Sequence, residues 1–390
     1  MTTLDQRLHE HLVYAYANAP AVKAIFDHVG LTPDDIRTVA DLARLPITSK
    51  DQFSEMQRQD PPFGGWLAMP VDALDRIFLS PGPIYDPGSS EDESLIEDAV
   101  SALQMAGFGP EDRVINAFLY HLVPAGLLFD EAVHRTGATV IPLGPGNTEI
   151  HVKVMQELRV TGYVGTPSFL SIILDKALEF GIPKAAIPLK KAFFSAEPYP
   201  PSLRAKFEGE YGIQTSQAYA TADLGFIASE IHGQEGFIVA QNQVMELVDP
   251  ETGEAVPEGT PGEVVVTKFD RVYPLLRFGT GDMAVMIPGS DRLRGLVGRS
   301  GEAVKVRGMF LHPNQLRFAV SMFPDVDAMQ AVITRDGVRD VVTLRVVGSM
   351  DAEQLKQALS AAARLTINEV EFVESIPDGA RLIEDQRTWD

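Results

Sequence analysis

The stretch Phe193–Asp223 reads FFSAEPYP, then PSLRAKFEGEYG, then IQTSQAYATAD. Lys191-Ala192-Phe193-Phe194 is apolar and strand-like, and it breaks at Ser195-Ala196-Glu197-Pro198. Pro198 biases Glu197 away from helix, which leaves that carboxylate on a turn at a strand end. The next segment predicts a helix with Leu203, Phe207 and Tyr211 on one face and Gly212 as its stop. A second strand ends in Ala218-Tyr219-Ala220-Thr221-Ala222-Asp223. Two strand ends joined through a helix set polar groups along one edge of a parallel sheet, where α/β proteins bind ligands.

Before this stretch, strand and helix patterns alternate. Strands are expected at Arg76–Ser80, Val114–Phe118, Thr139–Leu143 and Gly162–Gly165, and helices at Ser94–Met105, Tyr120–Val133, Asn147–Glu157 and Ser168–Phe180. Pro81–Ser90 reads as a loop between strand and helix. The alternation predicts a layered parallel sheet. Helical spacing also marks residues 3–29, and Thr32-Pro33 looks like a helix start. From Gly233 to Met286 the pattern turns to short strands and turns, including Val244–Val248 and Gly262–Val266. Beyond Gly298–Gly301 the order is strand, helix (Pro313–Phe323), two strands, helix (Ala352–Ala363) and strand, which suggests a ferredoxin-like lobe.

At 390 residues two or three domains are expected. A net charge of -21 argues against a nucleic-acid or anionic-membrane partner. With no cysteine, disulfides, thiolate zinc sites and thiol nucleophiles are excluded, which fits a reducing cytosol. No apolar run is long enough for a membrane span, and the N-terminus lacks the apolar core of a signal peptide. His121, His134 and His151 have no metal-ligand spacing among them.

Four short strings occur in order: Ser195-Ala196-Glu197-Pro198, Tyr219-Ala220-Thr221-Ala222-Asp223, Arg277-Phe278-Gly279-Thr280-Gly281-Asp282, and Gly298-Arg299-Ser300 with Lys305-Val306-Arg307-Gly308. Together they resemble the adenylate-forming (acyl/aryl-CoA ligase) superfamily, on its phenylacetate–CoA ligase-like branch. Leu45-Pro46-Ile47-Thr48-Ser49-Lys50 is similar to that branch's opening segment. The resemblance implies a large α/β N-terminal domain with a small β-barrel (1–297), a hinge (298–302) and a mobile α+β lobe (303–390).

It also implies roles. Asp282 would accept the ribose hydroxyls of AMP or ATP, Tyr219 would stack on adenine or pack in the core, and Ser195-Ala196-Glu197-Pro198 would lie beside the adenine. Thr221 would meet a phosphate, and Asp223 would help hold Mg²⁺. Arg299 and Lys305 would be hinge-side cations for the nucleotide. Phe118, Tyr120, His121 and Phe169 would line the acyl pocket, with His121 starting its helix. CoA, a carrier protein or an amine would be the acceptor of a small carboxylic acid's acyl group, and a homodimer is compatible.

Three departures concern ATP. The phosphate loop, here Ser80-Pro81-Gly82-Pro83-Ile84-Tyr85-Asp86-Pro87, loses both family threonines, and Asp86 replaces the basic residue. Two prolines remove N–H donors, and a carboxylate stands where a triphosphate would sit. Gly301 replaces the hinge acid, and near the C-terminal lysine position stands Gly379, with Arg381 as the nearby cation. The expected function is activation of an aromatic or hydrophobic carboxylic acid as an acyl-adenylate in a biosynthetic, phenazine-type antibiotic pathway. An ATP-independent acyltransferase and a catalytically silent binding protein are the alternatives.

Overall fold

The computed structural model describes residues 3–80, 84–250, 252–260, 262–299, 304–307, 309–311, 316, 323, 325–363, 365–377 and 380–388. Outside them lie Pro81-Gly82-Pro83 of the expected phosphate loop, Gly301 of the expected hinge, most of the expected helix Pro313–Phe323, and Gly379. The chain forms two compact units. One comprises residues 1–196 and 203–300; the other comprises 197–202 and 301–390.

The first unit is built on one 12-stranded sheet. Its parallel half runs Thr139–Pro142, Arg113–Asn116, Gly162–Gly165, Lys191–Phe194 and Gln214–Thr221. The central strands Arg113–Asn116, Gly162–Gly165 and Lys191–Phe194 are short and mostly buried, as expected of strands covered on both faces by helices. Phe118, Phe129, Phe193 and Phe226 fill the layer beside them. The antiparallel half continues through Gly225–Glu230, Phe237–Val239, Arg292–Arg299, Phe278–Met286, Gly262–Lys268 and Gln243–Val248. Thr48–Ser49 adds in parallel to Phe278–Gly279.

That last pairing positions the N-terminal segment. Ser49 caps the helix Lys50–Gln59, accepting from the Gln52 amide at 3.3 Å, while the Gln52 side chain accepts from the Ser49 amide at 3.0 Å. Lys50 therefore starts a helix whose first turn lies beside Gly279. Gln57, buried on the same helix, grips the Tyr85 backbone in both directions, at 2.8 Å as acceptor and 2.7 Å as donor.

Three expectations change here. Ile84–Gly88 is a strand, not a loop; it forms a hairpin with Arg76–Ser80. Gln57 supplies the side-chain donor and acceptor that Tyr85 needs on the hairpin's open edge. The helix expected from Tyr120 begins at Ala125, because Pro124 supplies no N–H and Leu122 takes a positive φ of 70°. Pro33–Asp35 is a single 3₁₀ turn.

The second unit carries a four-stranded sheet ordered Glu369–Phe372, Arg339–Gly348, Val326–Asp336 and Ile383–Asp385, with the helix Ala352–Ala363. Its edge strand Ile383–Asp385 has no signal in the sequence pattern, being only three residues long. Val304–Val306 pairs instead with Met309–Leu311 in a hairpin of its own.

One buried cation locks the first unit's antiparallel half. Arg277, 2% exposed, donates from Nε and Nη2 to the two Glu246 carboxylate oxygens at 3.1 and 3.0 Å, and from its guanidinium to the Leu45 and Gly253 carbonyls. Burial raises the Glu246 pKa, and Arg277 opposes that shift. Removing the cation alone leaves a desolvated carboxylate. Arg277→Met is expected to lower stability at pH 7 by about 3–5 kcal/mol, and the double variant Arg277→Met/Glu246→Leu by much less. Urea unfolding of the full chain measures both. The single variant's loss should shrink toward pH 4, where Glu246 is protonated in the folded and unfolded chains alike.

Candidate nucleotide site

The strand Phe278–Met286 carries the Thr280-Gly281-Asp282 turn of the motif. Gly281 has a φ of 73°, a conformation that disfavours a side chain. The Gly281 amide donates to Glu263 Oε1 at 3.1 Å, and the Asp282 amide to Thr280 Oγ1 at 3.1 Å. Tyr219, near the end of the strand Gln214–Thr221 and 6% exposed, donates its hydroxyl to Asp282 Oδ2 at 2.9 Å and lies 3.0 Å from Thr280 Oγ1. Its ring belongs to the hydrophobic core. Tyr219 thus packs in the core and orients Asp282, which stays half-buried. Such an oriented carboxylate is suited to accept a pair of hydroxyls.

The other residues of the central stretch are near by along the same strand ends. Ser195 donates to the Ala218 carbonyl at 3.1 Å and ties the two strand ends together. Ala196 has a φ of 75° on the turn. Thr221 Oγ1 accepts from the Leu224 amide at 3.1 Å and shapes the turn that leads to Asp223. Glu197 (half-buried) and Pro198 (exposed) belong to the segment 197–202 that groups with the second unit. Arg299 ends its strand opposite Asp282, and Lys305 pairs with Phe310; their side chains lie outside the described residues. Arg381 is exposed in the second unit.

The residues expected at an acyl pocket differ in exposure. Phe118 is 5% exposed and stacks on Phe129 with ring centres 4.4 Å apart, which places it in the core rather than on a pocket surface. Tyr120, half-buried, donates to Asp130 at 2.6 Å and accepts from Asn116 at 2.8 Å. Phe169 is half-buried and meets His151 edge-on at 5.0 Å. His121 is exposed and four residues ahead of its helix, so it does not start it.

A second polar cluster was not foreseen. The Asp223 carboxylate is 1% exposed and accepts from Lys50 Nζ at 2.8 Å, while its Oδ1 has no partner. Asp86, 4% exposed, has no hydrogen-bond partner on either oxygen. Ser80 is close enough to ease its charge, but that hydroxyl is directed to the Ile84 carbonyl at 3.4 Å. Burial, then the Asp223 charge, pushes the Asp86 carboxyl up to about 8. The residue types alone gave one signal, a lysine in the opening segment and an aspartate ending the central stretch, but nothing in the chain order shows that they meet.

A profile described as AMP-binding enzyme matches residues 99–269. The chain is 28% identical to a phenylacetate-coenzyme A ligase of Aromatoleum evansii over 356 residues, 87% of this chain and 80% of that protein. It is likewise 28% identical to a phenylacetate-coenzyme A ligase of Pseudomonas putida, over 90% of this chain and 82% of that one. Its fold matches the crystal structure of 2-hydroxyisobutyryl-CoA ligase in complex with 2-HIB-AMP and CoA, with a TM-score of 0.90, 22% identity, and coverage of 98% and 89% of the two chains. These similarities support a ligase-like enzyme resembling the adenylate-forming superfamily, on its phenylacetate–CoA ligase-like branch. Among the described residues no helix is long and apolar enough to cross a membrane.

The raised Asp86 pKa has a sign that can be checked. The folded chain keeps this proton up to about pH 8, whereas an unfolded chain releases it near 3.8. Between those values the unfolded state binds fewer protons, so stability falls as pH rises. Asp86→Asn should remove that slope, raising stability clearly at pH 7.5 and little at pH 4. Melting curves across that pH range measure it. A variant with the wild-type slope would contradict the assignment.

Proposed function

We propose that this enzyme activates a hydrophobic or aromatic carboxylic acid with ATP and passes the acyl group to CoA. The Tyr219–Asp282 pair carries the reading: a tyrosine hydroxyl 2.9 Å from the carboxylate fixes the acceptor for the ribose hydroxyls. The family match and the CoA-ligase relatives support the use of ATP, AMP and CoA.

In the first half-reaction a carboxylate oxygen of the acid attacks the α-phosphorus, the bond to pyrophosphate breaks, and an acyl-adenylate forms. In the second, the acceptor's sulfur attacks the acyl carbon and AMP leaves. Asp282 would hold the sugar, and Ser195-Ala196-Glu197-Pro198 would flank the base. Thr221 would meet the phosphate. Arg299, Lys305 and Arg381 would supply positive charge, with 303–390 as a C-terminal lobe and 298–302 as its hinge. Tyr120 and Phe169, both half-buried, are the side chains we assign to the acyl wall, with His121 at its rim and Phe118 behind. A carrier protein or an amine as acceptor, a homodimer, and a place in antibiotic biosynthesis are finer readings that these observations leave to experiment.

Acid-dependent exchange of pyrophosphate into ATP tests the reading. Exchange with at least one aromatic or other hydrophobic acid is expected. AMP binding with no exchange for any acid would favour transfer from a preformed acyl donor, a reading that Asp86 in the phosphate hairpin supports. In calorimetric AMP titrations Asp282→Asn should weaken binding about tenfold to a hundredfold, and Tyr219→Phe about fivefold, as loss of one charge-assisted hydrogen bond predicts. Equal affinity in all three proteins would contradict the site.

A further inference from the structure

Tyr120 is fixed by two side chains, Asn116 and Asp130, that have no role in the reading above. Its hydroxyl donates to Asp130, half-buried on the helix Ala125–Arg135, at 2.6 Å and accepts from Asn116 Nδ2 at 2.8 Å. A phenol has one proton to give and one good acceptor position in the ring plane, so both are filled. Asn116 is fully buried at the end of the strand Arg113–Asn116. Its Nδ2 also donates to the Gly126 carbonyl at 2.8 Å, and its Oδ1 accepts from the Phe118 amide at 3.0 Å. The Gly126 amide donates to the Leu119 carbonyl at 3.0 Å, and that carbonyl leaves no room for a side chain at Gly126. The Gly144 amide donates to the Asn116 carbonyl at 3.0 Å, and a Cβ on Gly144 would stand 3.9 Å from the Tyr120 ring. The residues 117–120 are thus bound to their own strand, to the following helix and to the next turn. Burial, then Asp130, pushes the phenol pKa well above its usual value, which keeps the hydroxyl protonated.

We propose that Asn116 and Asp130 are positioning residues for acid selection: they hold Tyr120 so that it presents to the acyl group an apolar ring with no free donor or acceptor. The inference rests on the assignment of Tyr120 to the acyl wall. A tyrosine with a free hydroxyl can recognise a polar substituent, whereas one whose hydroxyl is used up offers only ring carbon. A hydroxyl on the acid that meets this wall gives up water and finds no partner, which is unfavourable. The acids favoured are those that bring only carbon to this wall. The penalty is bounded, because a hydrophobic pocket rejects an added hydroxyl by no more than about a hundredfold. Loss of Asp130 leaves the phenol proton without its acceptor, and a hydroxyl on the acid can then take that proton. Asn116 and Asp130 act on selection through a third side chain rather than by touching the acid.

The probes are phenylacetate and its ring-hydroxylated isomers (ortho, meta and para), titrated calorimetrically into the full-length enzyme, so that binding is read without turnover. Phenylacetate should bind about tenfold to a hundredfold more tightly than the best of the hydroxylated acids. In Asp130→Ala that ratio should fall to about threefold or less. Asp130→Asn keeps an acceptor for the phenol and should keep the wild-type ratio. Tyr120→Phe/Asp130→Ala has no hydroxyl to release and should recover it. General loosening of the fold weakens all the acids together and does not give loss, retention and recovery across these variants. Tyr120→Phe alone should also keep the ratio, which tests the wall even where Asp130→Ala fails to fold. Equal binding of a hydroxylated acid by the wild type, an unchanged ratio in Asp130→Ala, a fallen ratio in Tyr120→Phe, or no binding of phenylacetate at millimolar concentration would each overturn the proposal. Acid-dependent pyrophosphate exchange separates the two claims. Selective acid binding with no exchange overturns the activation reading alone, and exchange with a ratio that Asp130→Ala leaves unchanged overturns this inference alone.

Discussion

The hydrogen bond from Tyr219 to Asp282 joins the two halves of the large sheet at the point where their polar ends converge. Tyr219 ends a strand whose one neighbour is parallel and whose other is antiparallel. Asp282 sits on a strand four positions further across the sheet. The tyrosine ring is core, its hydroxyl is not, and that division lets one side chain transmit the packing of the interior to a carboxylate at the surface. Side chains held this way keep one rotamer, and an acceptor with one rotamer loses less entropy when a sugar arrives.

Buried charge recurs around this junction and serves different ends. Arg277 and Glu246 are matched in full, with the remaining guanidinium donors on two carbonyls. Lys268 is similarly enclosed with Asp98 at 3.0 Å. These pairs fix strand positions, and each is balanced within its own few residues. Asp86 is the exception: neither of its oxygens has a hydrogen-bond partner, and burial, then the Asp223 charge, pushes its carboxyl up to about 8.

Much of the fold was legible because period and order carry it. The apolar runs at Val114, Gly162 and Phe193 could only be buried parallel strands once helices separated them, and the turn-rich pattern after Gly233 could only be antiparallel. Asp282 and Tyr219 were legible as a motif, although whether the tyrosine stacks or packs is decided by burial, which spacing does not encode. The Lys50–Asp223 contact spans 173 positions, and local pattern says nothing about such distances. The strand Arg76–Ser80 was legible, but its partner Ile84–Gly88 fell in an expected loop because Pro81, Pro83 and Pro87 suppress any strand signal, whereas Gln57 from a distant helix stabilises it. His121 was misplaced for a similar reason: its apolar neighbours suggested a helix that Pro124 delays.

The central claim is that Asp282, held by Tyr219, receives the ribose of a nucleotide. A crystal structure of the enzyme soaked with AMP tests it most directly. The account predicts both ribose hydroxyls in hydrogen-bond contact with the Asp282 carboxylate, with the Tyr219 hydroxyl still donating to Oδ2. AMP bound with its sugar away from Asp282, or an Asp282 side chain that turns from Tyr219 while the nucleotide is seated elsewhere, would contradict it.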